Sequence, residues 1–152
     1  MSSLQPHILD SIRELQRLAD LFAHRREQLA RSVGLSVQQY HILEEISDEQ
    51  FMPSMFARRR ESSAAAVSKI IRQLIDKKLI DVALDGNDGR VRKYTLTDEG
   101  RLVMTRLRQN RQEAMETVWA GLPPARLQEF QQFAGELSDR LEQYSEKQRL
   151  TI

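Results

Sequence analysis

The sequence predicts a mainly α fold that carries one small β-hairpin. Three observations predict it. Glycine and proline are sparse, six and four in 152 residues, which leaves room for long helices. Apolar residues recur at helical spacing through most of the chain. Between Leu79 and Leu96 that period gives way to two strand-like runs around a polar, Gly-containing turn.

From about Gln5 to Ser32, Ile8, Leu15, Phe22 and Leu29 recur every seven residues, with Ile12, Leu18 and Leu21 on or beside the same stripe. This is an amphipathic helix, and Gly34 ends it. Ser36 is a natural N-cap for a second helix with Tyr40, Leu43 and Ile46 on one face. Pro53 opens a short third helix holding Phe56 and Ala57. Ser62 or Ser63 can cap a fourth, running to about Lys77, with Val67, Ile70, Ile71, Leu74 and Ile75 spaced as one apolar face. Leu79 to Leu84 and Val91 to Leu96 then read as strands, and Asp85 to Arg90 as the turn of a hairpin. Thr97 caps a fifth helix whose first turn holds Asp98 and Glu99, favourable beside the positive end of the dipole. That helix reaches about Ala120, roughly 36 Å at about 1.5 Å per residue. Gly121-Leu-Pro-Pro124 breaks it, and a last helix carries Leu127, Phe130, Phe133, Leu137, Leu141 and Tyr144 before the tail frays.

The length suits one domain of ordinary size over 1–152. No apolar run approaches the ~18 residues that span a bilayer, and the N-terminus lacks the pattern of a secretory signal; a cytoplasmic protein is expected. There are no cysteines, which excludes thiol redox sensing, disulfide bracing and cysteine-ligated metal. The net charge of +1 conceals an asymmetry. Ten basic and five acidic residues lie between Arg58 and Lys93, so the remainder of the chain is net acidic. A segment facing a polyanion needs such local positive charge.

Order and period together give a helix–turn–helix with a wing over 36–96. On the fourth helix Ala65, Lys69 and Arg72 point away from Val67 and Leu74, with Ser68 at the margin. Small residues let a helix end approach base edges in a major groove, and Lys69 and Arg72 reach phosphates or guanine. The hydroxyls of Ser62 and Ser63, with the helix N-terminal amides, are suited to a phosphate. In the hairpin, Asp85 and Asp88 would repel DNA, so shaping the loop suits them better. Asp88 either accepts hydrogen bonds from loop amides or holds Arg90 in one orientation. Arg90 is then placed for a minor groove, and Arg92 and Lys93 for phosphates.

These residues resemble a known family. The stretch from Phe56-Ala57, through Ser63-Ala-Ala-Ala-Val-Ser-Lys-Ile-Ile-Arg-Gln-Leu74 and Lys78-Leu-Ile80, to Asp85-x-x-Asp88-x-Arg90 and Leu96-Thr97-x-x-Gly100, looks like a MarR-type transcriptional regulator. The resemblance implies a homodimer built from the helices at 5–32 and 123–146, with 97–120 connecting them to the winged domain. It implies binding to a near-palindromic operator on double-stranded DNA, and repression relieved by a small aromatic or anionic effector. Three positions depart from the pattern. Lys78 stands where a glycine usually follows the recognition helix, so that end is expected to close without its usual cap. Val82 replaces a residue that is often basic, and Asn87 one that is often acidic or arginine.

The stripes of the first and last helices are too long for a small winged domain to cover, and a two-fold dimer would bury them. It would also set two recognition helices about one DNA turn, ~34 Å, apart. Trp119 reads as dimer core. For an effector, Arg17, Tyr40 and His41 offer an anion partner and an aromatic wall, although Tyr40 equally reads as core. His7, His24 and His41 show no paired metal-ligand spacing, so no metal or cofactor is expected. A protein-binding winged helix is the alternative; such a module tends to lose the cations that Lys69, Arg72 and Arg90 retain. No nucleophile–base pair or phosphate-cradling loop suggests an enzyme.

Overall fold

Residues 3–84, 86, 87, 89 and 91–151 are described by a computed structural model. The wing candidates Asp85, Asp88 and Arg90 lie outside the described residues. The order of elements is α1 (Gln5–Arg31), α2 (Val37–Ser47), α3 (Pro53–Arg59), α4 (Ala64–Asp76), β1 (Ile80–Leu84), β2 (Arg92–Leu96), α5 (Asp98–Val118) and α6 (Pro124–Thr151). It is mainly helical with one two-stranded antiparallel hairpin, the winged helix–turn–helix arrangement that the sequence predicts.

Side-chain caps set the helix starts. Ser36 Oγ accepts from the Gln39 amide at 3.1 Å, and the Gln39 side chain returns a bond to the Ser36 amide. This reciprocal box is visible as Ser-x-x-Gln in the sequence. For α4 the cap is Ser63, whose Oγ accepts from the Ala66 amide at 3.0 Å. Thr97 Oγ1 accepts from the Gly100 amide at 3.0 Å and opens α5.

Helix ends are closed by a backbone device at residues with positive φ. After α4, Lys78 has φ 60°. Its amide donates to the Ile75 carbonyl at 2.8 Å, and the Leu79 amide donates to Leu74 at 3.0 Å. That pair of bonds is the closure a glycine usually makes, so the expectation that α4 ends without its usual cap is corrected. Lys78 adopts the left-handed conformation itself, at a cost of about 1–2 kcal/mol for an L-residue. Burial of both Leu79 and Leu74 supports the turn. Glu49 (φ 56°) and Glu61 (φ 49°) close α2 and α3 in the same way, with Gln50 donating to Glu45 at 3.0 Å and Ser62 to Ala57 at 2.8 Å.

Two compact units divide the chain, residues 1–112 and 113–152, and α5 crosses from the first into the second. The first holds the core. Ile42, Leu43, Val67, Leu74, Ile80, Met104 and Leu107 are fully buried, joined by Leu29 and Ala30 of α1 and Phe56 and Ala57 of α3. In α4 the predicted apolar face divides: Val67, Ile71 and Leu74 are buried, Ile70 is half-buried and Ile75 is exposed. The second unit holds the end of α5 and α6. Gly121, with φ 79°, and the Pro123-Pro124 pair break the chain as expected. Instead of fraying after Tyr144, α6 continues to Thr151, through Glu146, Lys147, Gln148 and Arg149, all good helix formers.

Gly100 meets a stricter demand. A Cβ there would lie 2.1 Å from the Leu79 carbonyl oxygen, a backbone atom that cannot step aside. Gly100→Ala should therefore lower the unfolding free energy by about 3 kcal/mol or more in urea denaturation. Lys78→Gly should raise it by about 0.5–1 kcal/mol, the relieved strain less the added entropy of an unfolded glycine. A neutral result at either position would contradict the geometry of this junction.

Candidate nucleic-acid interface

Helix α4 separates two faces. Val67, Ile71 and Leu74 enter the core, while Ser63, Ala65, Ser68, Lys69 and Arg72 are exposed. Ser63 satisfies the Ala66 amide, which leaves the amides of Ala64 and Ala65 without an intrahelical acceptor at the positive end of the dipole. The two serines therefore differ. Ser63 caps the helix, whereas Ser62 spends its amide on closing α3 and stands half-buried.

Two polar links that the sequence reading missed fix how α4 sits. Gln39, buried in α2, donates from Nε2 to Gln73 Oε1 at 3.0 Å. Lys77 Nζ donates to the Gly34 carbonyl at 2.9 Å. Gln39 thus caps α2 and holds α4 with the same amide group. Its capping role was legible as Ser-x-x-Gln; its partner, 34 residues away, was not.

In the hairpin, Ile80 pairs with Leu96, Val82 with Tyr94 and Leu84 with Arg92, while Ala83 pairs with Lys93. Paired residues share a face, so Arg92 and Lys93 fall on opposite faces of the wing. Both are exposed. Val82 opposes Tyr94, whose ring meets Phe51 edge-on at 5.3 Å. Phe51 in turn meets Phe56 at 5.8 Å, so the wing is braced through aromatic rings to α3.

Two of the effector candidates meet, the Tyr40 and His41 rings having centroids 5.5 Å apart. Arg17 is exposed on α1 and ion-paired to Glu14 at 3.6 Å. Tyr40 is buried, and Arg111 Nη1 donates to its hydroxyl at 3.3 Å. Burial, then the Glu44 carboxylate, pushes its pKa up to about 12. His41 is half-buried, with its pKa lowered first by burial, then by Arg60 and Arg26, against the opposing pull of Glu44. Of the three, only His41 lines a cavity of about 580 Å³ that Arg26 and Arg60 also line. Among the described residues no cluster of three or more His, Cys, Asp or Glu could hold a metal ion, and no helix is long and apolar enough to cross a membrane.

Residues 33–91 match the model of the MarR family. That segment, less than half of the chain, is similar to the MarR family. A MarR family transcription regulator of known crystal structure aligns with a TM-score of 0.82 over 96% of this chain and 97% of its own, at 16% identity. MepR from S. aureus, solved as a complex with DNA, aligns with a TM-score of 0.66 over 85% of this chain and 92% of its own, at 20% identity. CouR from Rhodococcus jostii RHA1, bound to p-coumaroyl-CoA, gives 0.64 over 81% and 87%, at 18% identity. At these identities the likeness shows a shared fold. No curated protein matches the chain in sequence. Against the MarR pattern, lysine in place of the usual glycine at position 78 leaves the helix closure intact, and Val82 contributes an apolar pair to the hairpin instead of a charge.

Proposed function

We propose that this chain regulates transcription by binding double-stranded DNA as a homodimer, with α4 in the major groove. The observation that carries this is the exposed side of α4, where two unpaired amides, small residues and two cations follow one another along one face. Ser62 and Ser63 receive a phosphate, Ala65 and Ser68 lie against base edges, and Lys69 and Arg72 reach phosphate or guanine. Arg90 enters the adjacent minor groove from a loop shaped by Asp85 and Asp88, and Arg92 and Lys93 flank it on either face of the wing. That MepR was solved with DNA supports the reading.

The helices 5–32 and 123–146 form the dimer interface, and 97–120 connects them to the winged domain at 36–96. In support, Ile8, Ile12, Leu15, Leu18 and Phe22 of α1 are exposed in the single chain, as are Phe130, Phe133, Leu141 and Tyr144 of α6. So large an apolar surface is unusual on a monomer. The protein acts in the cytoplasm as a repressor on a near-palindromic site, and a small aromatic or anionic ligand releases it. The capture of p-coumaroyl-CoA by CouR supports that chemistry.

Fluorescence anisotropy with duplex DNA should show affinity falling linearly with salt on logarithmic axes. Lys69→Ala and Arg72→Ala should each reduce that slope by about one if the lost contact is a phosphate. Arg90→Ala should weaken binding without altering the mass, twice that of one chain, in light scattering. Absence of salt-dependent binding, or a monomeric mass, would overturn the respective half of the proposal.

A further inference from the structure

A directional chain of hydrogen bonds runs from the start of α2 to the surface of α4. Its first donor is the Ser36 amide, which bonds to Gln39 Oε1 at 3.1 Å. A backbone N–H can only donate, so this bond fixes which end of the Gln39 amide is oxygen. The nitrogen end is thereby turned to Gln73, and Nε2 donates to Gln73 Oε1 at 3.0 Å. The same logic passes on. Gln73 uses its oxygen on Gln39, so the end left over is its Nε2, with two N–H groups. Gln39 is 8% exposed, the one buried polar side chain among the described residues. A buried amide keeps the orientation that satisfies it, and bonds in such a chain polarise one another. Gln73 itself is half-buried and reaches the surface beside exposed Arg72.

We infer that Gln73 donates to a DNA backbone phosphate, and that Gln39 is the positioning residue that keeps its amide turned for it. This rests on the DNA-binding reading above and adds a contact which that reading lacks. A phosphate oxygen only accepts, so it rejects the oxygen end of a glutamine amide and takes the nitrogen end. An unheld glutamine presents either end; the bond from Gln39 removes the wrong one.

Position decides between phosphate and base. At about 100° per residue Gln73 lies about 80° round α4 from Ala65, whereas Lys69 and Arg72 lie within about 40° of it. A helix in a groove meets base edges with the middle of its outer face and the backbone walls with its flanks. Gln73 is on the flank towards α2, where its bond to Gln39 and the bond from Lys77 to Gly34 tie α4 down. Bidentate reading of adenine would need both ends of the amide, and one is already taken. Because glutamine is uncharged, its contact releases no counterion and leaves no trace in a count of cations.

Fluorescence anisotropy on the full chain tests this with two duplexes, one selected by the protein from a random pool and a scrambled one of the same composition. Gln73→Met keeps the side-chain length and removes both polar ends. It should weaken binding to both duplexes about tenfold and leave the salt slope unchanged, unlike Lys69→Ala. Gln39→Glu reverses the chain. Its carboxylate still accepts from the Ser36 amide, so the cap survives as Ser-x-x-Glu. It can only accept from Gln73, however, whose oxygen then faces the phosphate. This variant should lose as much as Gln73→Met, and the two combined should lose no more than either. NMR reads the amide order in the free protein. The Gln39 side-chain NH2 should be protected from solvent exchange and that of Gln73 should not, whereas in Gln39→Glu the Gln73 NH2 becomes protected. Thermal melts should show each variant folded; if Gln39→Glu does not fold, Gln73→Met still decides the contact. Salt-dependent binding that Gln73→Met leaves unchanged overturns this proposal alone. A loss confined to one base pair of the selected duplex overturns the phosphate, and losses that add in the double variant overturn the role of Gln39. If the native chain binds neither duplex, the DNA-binding reading itself fails and this contact with it.

Discussion

Two successive backbone carbonyls, those of Lys78 and Leu79, tie α4, the hairpin and α5 together. The Leu79 carbonyl accepts the Thr97 amide at 3.0 Å, and the Lys78 carbonyl accepts the Thr97 hydroxyl at 2.6 Å. Those two carbonyls sit at the end of α4 and the foot of the wing, while Thr97 is both the exit of the wing and the cap of α5. The first turn of α5 closes on the Leu79 carbonyl so tightly that position 100 has no room for a Cβ. Helix α4, the hairpin and α5 are therefore locked at a single point. The angle between α4 and the hairpin, on which the proposed contact with two grooves depends, follows from these bonds rather than from the wing itself.

This junction shows what was legible in the sequence. Ser36, the Ser62-Ser63 pair and Thr97 announced three helix starts, because a capping side chain acts locally and only certain residue types can do it; the structure assigns the second to Ser63. The ends were harder to see. Gly34 marked one, but Glu49, Glu61 and Lys78 close the next three helices in the left-handed conformation without the residue type that advertises it. What holds them there is the pair of backbone bonds and, after α4, the burial of Leu74 with Leu79, neither of which is a property of the residue that bears the strain. Long-range links were equally hidden. Nothing local in the sequence says that Gln39 and Gln73 meet. Arg17, Tyr40 and His41 were grouped by chemical type; the fold brings the rings of Tyr40 and His41 to 5.5 Å and ion-pairs Arg17 to Glu14.

Periodicity has a similar limit: it identifies an apolar stripe but not what covers it. Along α1 the same seven-residue series ends in Leu29, 5% exposed in the core of its own unit, while Ile8, Leu15 and Phe22 are 47%, 43% and 46% exposed. One helix therefore does two things. Its last turn anchors the winged domain beside Ala30 and Leu35, and its earlier turns offer a surface the single chain does not bury. The sequence pattern is continuous because helix geometry is continuous, and only the packing reveals the change of role.

Charge divides in the same way. The excess of basic residues between Arg58 and Lys93 looks like one patch, yet its members have separate fates. Three successive arginines illustrate it: Arg58 is exposed, Arg59 is ion-paired to Glu45 at 2.6 Å, and Arg60 lies over the Phe56 ring beside the cavity. Lys77 spends its ammonium on the Gly34 carbonyl. A counterion count taken from the sequence would therefore overestimate the phosphates neutralised, since a cation already bonded within the protein releases fewer ions from DNA. Lys69 and Arg72 on α4, and Arg92 and Lys93 on the wing, are exposed without an ion pair among the described residues. They fall on the two elements that the Leu79 junction locks together. The positive charge available to a polyanion is thus smaller than the composition suggests, and more directed.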